Sequence, residues 1–359
     1  MSQLSKFREA IIARGADGAI VSDAINQRYL TGFDFSDGLV IVTKKEAYVV
    51  TDFRYAEAAR AQVRAGFGIV VPDKGQLLSV AELLGDNGCK RVLFEEKALT
   101  YAGHARYVDI LCDYELVSGA SAVLEELRAY KDEEELATIA RAQAITDAAF
   151  AHILEFITPE MTEADVALEL EFFMRRMGAE QVAFQTIAVS GAASALPHGV
   201  PRRQKLEKGF LTMDFGAQVD GYCSDMTRTV VLGRADSEMK RLYETVLSAQ
   251  KAALEAACEG FGCRALDKIA RDIINGAGYK GCFGHSLGHG VGMVVHENPR
   301  LSTGADEKSC LSRGHVVTFE PGIYIEGKYG CRIEDMACIR PDGSFYDFTN
   351  SPRELIDLF

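Results

Sequence analysis

The sequence lacks the short motifs that mark several common classes of protein. It contains no GxGxxG after a predicted strand and no P-loop, so it gives no support to a nucleotide-binding role. Its nine cysteines include no CxxC pair, and HExxH is also absent. An odd number of scattered cysteines predicts reduced thiols, as in a cytoplasmic protein, rather than a small disulfide framework.

Long apolar runs and an excess of basic residues are missing too. No stretch of eighteen apolar residues is present, and the N-terminus lacks the apolar block and cleavage site of a signal peptide, so we expect neither a membrane span nor a leader. The 39 Lys and Arg residues against 52 Asp and Glu give a formal net charge of −13. Because phosphate binding needs clustered basic residues, this balance disfavours a nucleic-acid or anionic-membrane partner.

The 359 residues suffice for two domains, and the pattern of elements changes along the chain. The first third alternates short strands and helices, which predicts an α/β layer, whereas the chain from Val182 onward is rich in strands. A charged stretch, Leu127–Leu136, opens a predicted long helix that runs to about Ile157. We therefore place the boundary near residue 124, with domains at 1–124 and 125–359, and find no convincing internal repeat. Further helices are predicted at Thr162–Gly178, Ser237–Glu259 and Ala265–Ala277.

The segment Phe210–Leu232 predicts a β-hairpin with Asp220-Gly221 at its turn, because both positions of a two-residue turn favour residues that accept positive φ. In that register Gly216 opposes Asp225, so Asp214 and Asp225 become diagonal neighbours on one face, roughly 7–8 Å apart at the backbone. Each aspartate alone is read most simply as an exposed residue. Two carboxylates on one face of apolar strands favour a metal ion, since like charges repel unless a cation lies between them.

Two further acids occur in similar settings. Glu320 ends the apolar strand "HVVTFE" and is followed by Pro321-Gly322, which stops the strand. Glu334 lies in "CRIEDMACI", where strand alternation puts Arg332 on the same face, and a plain salt bridge explains that pair equally well.

Three of the seven histidines fall within "GHSLGHGVGMVVHE", the segment 284–297. The glycine content of this segment argues against a helix, although His285 and His289 are four residues apart. His198 lies in the loop "LPHGVP", while His104, His152 and His315 are read as ordinary histidines with a polar partner or solvent. One imidazole with four carboxylates is too oxygen-rich for a structural zinc site and fits a pair of divalent cations.

Together these motifs resemble the creatinase, prolidase and methionine aminopeptidase family, whose catalytic domain has the pita-bread fold. The resemblance rests on "MDFGAQVDGYCSDMTRT", "GHSLGHGVGMVVHENPRLS", "FEPGIYI" and "GCRIED", which occur in the family's order over about the last two-thirds of the chain. "NQRYLTGF" in the first third is similar to the family's N-terminal domain. The resemblance implies an α/β (α+β) protein with a creatinase-like N-terminal domain before the pita-bread domain, and it points to the proline-directed members.

The resemblance also implies a role for each candidate residue. The metal ligands would be Asp214, Asp225, His289, Glu320 and Glu334, with Asp225 and Glu334 shared by both ions. The catalytic residues would be Glu320 as general base and His296 as donor to the oxyanion, together with His198 and His285. The substrate would contact His198, His285, His296, Arg300 and Tyr324. Arg332 would support Glu334 from behind.

The implied reaction is hydrolysis of the Xaa-Pro bond of proline-containing peptides, in an Xaa-Pro aminopeptidase. The alternatives are an Xaa-Pro dipeptidase, which Arg300 would favour by binding the terminal carboxylate of a dipeptide, and a non-catalytic peptide-binding protein on the same fold. The ligand set favours two Mn²⁺ ions, with Co²⁺ or Zn²⁺ as other choices. The family resemblance further implies a homodimer, and the scattered cysteines predict a cytoplasmic location.

Overall fold

The computed structural model describes all 359 residues, which form two compact units, Met1–Arg128 and Ala129–Phe359. The boundary predicted near residue 124 falls inside the helix Ala120–Ala129. Both units combine helices and sheets, which confirms the predicted fold class. None of the ten helices has the length and hydropathy needed to cross a bilayer.

The first unit is an α/β layer around one mixed sheet of six strands, in the order β4-β3-β2-β1-β5-β6. Two helices of this unit, α4 and α5, went unnoticed in the sequence. Its elements in chain order are α1 (Gln3–Ala13), β1 (Gly18–Val21), α2 (Ala24–Thr31), β2 (Gly38–Thr43), β3 (Ala47–Thr51), α3 (Phe53–Gln62), β4 (Gly68–Val70), α4 (Gln76–Asp86), β5 (Arg91–Phe94), α5 (Tyr101–Ile110), β6 (Glu115–Ser118) and α6 (Ala120–Ala129).

The "NQRYLTGF" motif has a structural role in this unit. Asn26 at the start of α2 donates to the buried carboxylate of Glu95, which also accepts from the backbone N–H of Asp23 at 2.7 Å. Gln27 donates to the carbonyls of Val21 and Gly38, both at 3.0 Å. These buried polar groups are satisfied by one another, so the motif joins α2 to the sheet.

The second unit contains four helices and fourteen strands. A separate α6 precedes its first helix, so the predicted long helix begins only at Glu133. Its elements are α7 (Glu133–Phe156), α8 (Glu163–Arg176), β7 (Gln181–Val182), β8 (Ile187–Ser190), β9 (Gly209–Phe215), β10 (Ala217–Val219), β11 (Tyr222–Cys223), β12 (Met226–Leu232), α9 (Ser237–Ala256), α10 (Cys263–Gly276), β13 (Gly288–Gly290), β14 (Glu297–Leu301), β15 (Val316–Phe319), β16 (Gly322–Ile325), β17 (Tyr329–Arg332), β18 (Asp335–Ile339), β19 (Phe345–Asp347) and β20 (Asp357–Leu358).

The helices of this unit form two matching pairs. The start of α8 has a capping box between Thr162 and Asp165, and α7 has another between Asp132 and Glu135. Helix α10 begins 100 residues after α8, and α9 ends 100 residues after α7. The structure therefore contains a repeated helix pair that the sequence did not reveal, because only the positions of apolar residues and turns are shared.

Each helix pair covers one of the larger sheets. Helices α7 and α8 bury residues such as Phe150 and Leu170 against Leu211 and Met213 of the sheet β20-β12-β9-β8. Helices α9 and α10 pack chiefly against residues of β15 to β18, among them Phe319. β15 and β18 belong to the sheet β14-β13-β15-β18-β19. Burial of these apolar surfaces holds the two halves in place and leaves their polar strand ends free to form a site.

His315, read from the sequence as an ordinary histidine, is buried in this unit. Its Nδ1 accepts the backbone N–H of Ser312 at 3.2 Å, its ring packs on Tyr130, and burial beside Lys131 lowers its pKa from 6.5 to about 4. We expect an NMR titration of its ring protons to give a midpoint near pH 4.

The same shift links His315 to acid stability. Below pH 6.5 the His315 ring is protonated in the unfolded chain, whereas in the folded protein it is protonated only below about pH 4. The contribution of His315 is therefore fully present above pH 6.5 and is lost as the pH falls through this window. A His315 midpoint near pH 6.5 would contradict the prediction.

Candidate active site

The hairpin of β9 to β12 carries two of the predicted ligands. Asp220 and Gly221 have φ of 47° and 84°, and Val219 pairs with Tyr222, as the turn predicts. Asp214 pairs with Thr227, which puts Asp214 and Asp225 on one face. A Cβ on Gly216 would lie 2.0 Å from the carbonyl oxygen of Ser224, so only glycine allows the strands to approach beside Asp225.

His289 and Glu320 come from neighbouring strands. The Glu320 N–H donates to the carbonyl of Leu287 at 2.8 Å, and the Thr318 hydroxyl donates to Glu320 Oε1 at 3.2 Å. His289 Nδ1 lies 3.1 Å from the carbonyl oxygen of Gly290, which places its proton there. Its Nε2 atom then faces Glu320 Oε1 at 3.2 Å and Asp225 Oδ2 at 3.6 Å, which is the orientation of a metal-ligating imidazole.

Glu334 lies between β17 and β18 and is held by Thr227. Its backbone N–H donates to the Thr227 carbonyl at 3.1 Å, and the Thr227 hydroxyl donates to Glu334 Oε2 at 2.7 Å. Donor atoms of Asp225, His289 and Glu334 lie within 4.8 Å of one another, and all three residues are buried. The structure thus brings together Asp225 and Glu334, which are 109 positions apart in the sequence, with His289 between them in the chain.

Arg332 takes a different partner from the expected one. Its guanidinium donates to Asp214 Oδ2 at 2.6 Å and to the Thr227 hydroxyl at 2.9 Å. Glu334 accepts its hydrogen bond from Thr227, so Arg332 supports Glu334 through that threonine and through its charge. The correction follows from the hairpin, which carries Asp214 directly opposite Thr227.

The carboxylates of this site are too crowded to be ionised together without a cation. Burial raises the pKa of Asp225 and Glu334 well above the ordinary range, and neighbouring carboxylates raise them further. Burial likewise raises the pKa of Asp214, against the charge of Arg332. Burial also raises the pKa of Glu320, but the hydrogen bond and the charge of His289 outweigh this effect and lower the pKa of Glu320 to about 2.

One buried atom of the site has the properties expected of a metal ligand. Asp214 Oδ1 is buried and has no hydrogen-bond partner, although its neighbour Oδ2 bonds Arg332. A buried carboxylate oxygen without a partner costs free energy, and a metal ion would satisfy it. Four carboxylates supply hard oxygen ligands and four negative charges, and one imidazole adds a nitrogen ligand, a set that fits two divalent cations.

The ligands line a cavity of about 340 Å³. His198, His285, His296 and Arg300, all predicted to bind substrate, line it as well. Its other lining residues include Phe184, Thr186, Ile187, Val200, Pro201 and Val295, which the sequence did not single out.

The histidines of the cavity differ in their surroundings. His285 Nδ1 lies 2.8 Å from the carbonyl oxygen of Ser286, and burial lowers the pKa of its ring. The His296 side chain is open to the cavity, but desolvation by the cavity walls, with the charges of His289 and Arg300, lowers its pKa to about 4. Both imidazoles are thus neutral near pH 7, and each has one N–H to donate.

Tyr324 is not among the lining residues. Its hydroxyl accepts from Arg332 at 2.8 Å and lies 2.9 Å from His285 Nε2, so it joins these two side chains behind the cavity wall.

Thr227 was missed by the sequence reasoning, although it follows Asp225 by two residues and therefore shares its face.

Comparison with known proteins agrees with this geometry. Residues 137–341 match the model of metallopeptidase family M24, and residues 3–130 match the creatinase/prolidase N-terminal domain. An uncharacterized peptidase of Bacillus subtilis, YqhT, is 42% identical over 99% of this chain and 100% of its own. The solved Xaa-Pro dipeptidase from Bacillus anthracis is 40% identical with a TM-score of 0.94, covering 99% of both chains. The solved X-Pro aminopeptidase from Thermotoga maritima is 34% identical with a TM-score of 0.90, covering 98% and 99%.

Proposed function

Because the chain belongs to metallopeptidase family M24 and carries the creatinase/prolidase N-terminal domain, we propose that it hydrolyses the Xaa-Pro bond of short peptides. The observation that carries this proposal is the convergence of four carboxylates and one imidazole on a cavity that also holds Arg300. In a peptide-binding protein without a metal centre, a buried carboxylate oxygen without a hydrogen-bond partner, such as Asp214 Oδ1, would cost free energy and serve no function.

Asp214, Asp225, His289, Glu320 and Glu334 would hold two divalent cations, in a family that depends on a dinuclear metal centre. When bound, the ions supply Lewis-acid activation of water and of the scissile carbonyl. The excess of carboxylate ligands favours Mn²⁺ over softer ions. A homodimer and a cytoplasmic location stay predictions from the sequence.

The protein side chains divide the remaining work. Glu320 lines the cavity beside His289 and is placed to accept the proton of the attacking water. His296, whose ring centre lies 4.3 Å from that of His289, is placed to donate its N–H to the oxygen that becomes negative. His285 is oriented by Ser286 and Tyr324, and His198 lies on the opposite loop of the cavity.

Arg300 favours a dipeptide as the substrate. It lines the same cavity as the ligands, and His289 and Arg300 are direct partners in the β13–β14 ladder. A guanidinium at that place can bind the terminal carboxylate of Xaa-Pro with paired hydrogen bonds. We therefore propose dipeptidase activity, as named for the Bacillus anthracis protein. The Xaa-Pro aminopeptidase activity favoured by the sequence is the second candidate, supported by the likeness to the Thermotoga maritima enzyme.

A dipeptide and its amide distinguish the two candidates. We expect kcat/KM for Ala-Pro to exceed that for Ala-Pro amide, which lacks the carboxylate, by about 10–100-fold, since a charge-assisted hydrogen bond contributes about 1.5–3 kcal/mol. Arg300→Met is expected to remove this preference, mainly by raising KM for the dipeptide.

The control for this prediction is Arg234→Met, which removes an exposed arginine and leaves both rates unchanged. Turnover of Ala-Pro-Ala at the dipeptide rate, with Arg300→Met indistinguishable from wild type, would establish the aminopeptidase instead. Absence of hydrolysis of all three peptides by the manganese-loaded protein would refute the proposed function.

A further inference from the structure

A buried ion pair lies next to the site, and one of its members directly follows His296 in the sequence. Lys131 Nζ and Glu297 Oε2 are 3.1 Å apart, and the two side chains are only 1% and 4% exposed. An ion pair at this depth costs so much desolvation that an apolar pair of similar size is often at least as stable. Its presence therefore suggests a purpose other than stability.

The carboxylate of Glu297 organises the segment Val291–Glu297. Its Oε1 accepts the backbone N–H of Val294 at 3.1 Å, while Oε2 receives Lys131. A Cβ on Gly292 would lie 2.4 Å from Glu297 Oε2 and 2.9 Å from Lys131 Cε, so the backbone closes tightly around the pair. The ladder of β13 and β14 shifts its register between His289 and Gly290 and resumes at Glu297. Between them, the backbone holds the first residues, since the Val291 N–H donates to the Val316 carbonyl at 3.0 Å and the Gly292 carbonyl accepts from Cys223 at 2.8 Å. The ion pair adds order to the second half of the segment, where the Val294 N–H bonds Glu297.

His296 is the residue directly before Glu297 and has the opposite exposure. Along 296–301 the residues alternate between exposed and buried, so the buried Glu297 turns His296 and Arg300 to the face that borders the cavity. Lys131 itself is anchored, because its backbone N–H donates to the carbonyl of Gly314 at 2.9 Å. The anchored backbone of Lys131, near the start of α7, is therefore connected through the ion pair with Glu297 to the adjacent residue His296, whose imidazole lies in the active site.

We propose that Lys131 and Glu297 are positioning residues that hold His296 at the place where it meets the reacting carbonyl. The proposal rests on the proposed peptidase function for its kinetic consequence, but its structural part stands on the ordering of Val291–His296. Because His296 acts on charge that develops in the transition state, loss of the pair should lower kcat and leave KM nearly unchanged.

The test uses the full-length double variant Lys131→Met/Glu297→Gln, which removes both charges and leaves neither unpaired. We expect kcat for an Xaa-Pro substrate to fall about tenfold or more, with KM and metal content unchanged. His296→Ala is expected to lower kcat about 10²-fold in the wild-type background, which is a typical cost of losing one oxyanion donor. In the double-variant background the same substitution is expected to lower kcat only about tenfold, because the effects of coupled residues do not add. Ile274→Val, a core change in α10 that lies away from the cavity, is the control for loss of stability alone.

Equal losses from His296→Ala in both backgrounds, or an unchanged kcat in the double variant, would overturn the proposal. A second measurement needs no activity: amide hydrogen exchange at Val294–His296 should speed up in the double variant and not in Ile274→Val. Unchanged exchange at these amides would also overturn it. A wild type without Xaa-Pro hydrolysis would refute the function, while the exchange experiment would still decide the role of the pair.

Discussion

Asp225→Asn is expected to lower kcat/KM for Xaa-Pro peptides by about 10³-fold or more and to leave the purified protein short of bound metal. Asp225 is buried within reach of both His289 and Glu334, and a neutral amide would not supply the negative charge that the divalent cations held by these residues would need. The fold should survive, because Asn has the same shape and relieves the repulsion that raises the pKa of Asp225. Steady-state kinetics and elemental analysis of the metal content measure the effect.

The same hairpin supplies a matched control for this change. Asp220→Asn makes the identical substitution five residues away, at an exposed turn with φ of 47°, a conformation that asparagine tolerates. We expect this variant to keep wild-type activity and metal content. Unchanged activity in Asp225→Asn would refute a dinuclear site. Peptide binding without hydrolysis by the metal-loaded wild type would favour the non-catalytic binding protein.

Arg332→Met is expected to lower the free energy of unfolding of the metal-free protein by about 3–5 kcal/mol, because it leaves a buried carboxylate without its cation. The guanidinium bonds Asp214 at 2.6 Å, Tyr324 at 2.8 Å and Thr227 at 2.9 Å, and the Arg332 and Asp214 side chains are nearly buried. Activity should fall about 10–100-fold, as is usual when a residue that orients metal ligands is lost. Urea unfolding in the presence of a chelator measures the stability term.

Added metal provides a further check on the role of Arg332. Saturating Mn²⁺ should restore part of the lost stability, because a cation beside Asp214 replaces the missing charge. Arg313→Met, which breaks the exposed pair with Glu259, is the control and should cost less than about 1 kcal/mol. A change in unfolding free energy no larger than that of the control would contradict the assignment of Arg332.

The local geometry of the carboxylates could be predicted because it depends on short sequence distances. The Asp220-Gly221 turn sets the register of its hairpin, and a strand period of two then decides that Asp214 and Asp225 share a face. Short sequence distances also separate the strands of the hairpin β16–β17, in which Ile325 pairs with Tyr329.

Longer-range partners were beyond the same reasoning. Arg332 was assigned to Glu334 from their spacing, whereas folding brings Asp214 from 118 residues away to the guanidinium. Tyr324 was expected to contact substrate, but the sequence did not show that its hydroxyl bonds Arg332 and lies beside His285. Lys131 and Glu297 gave no signal at all, since they are 166 residues apart. Such pairs are set by how the two helix-covered sheets pack, and no local pattern encodes that packing.

The sequence by itself determined the family, the kind of fold and the residue types of a metal centre, because motif order, turn chemistry and side-chain alternation act over a few residues. Only the tertiary structure decided how these residues face one another: which imidazole nitrogen meets the carboxylates, which acid Arg332 binds, and how a buried ion pair holds the segment that carries His296. The reason is physical. Register and capping are local and short in range, whereas burial and electrostatics depend on neighbours that only the packed chain brings together.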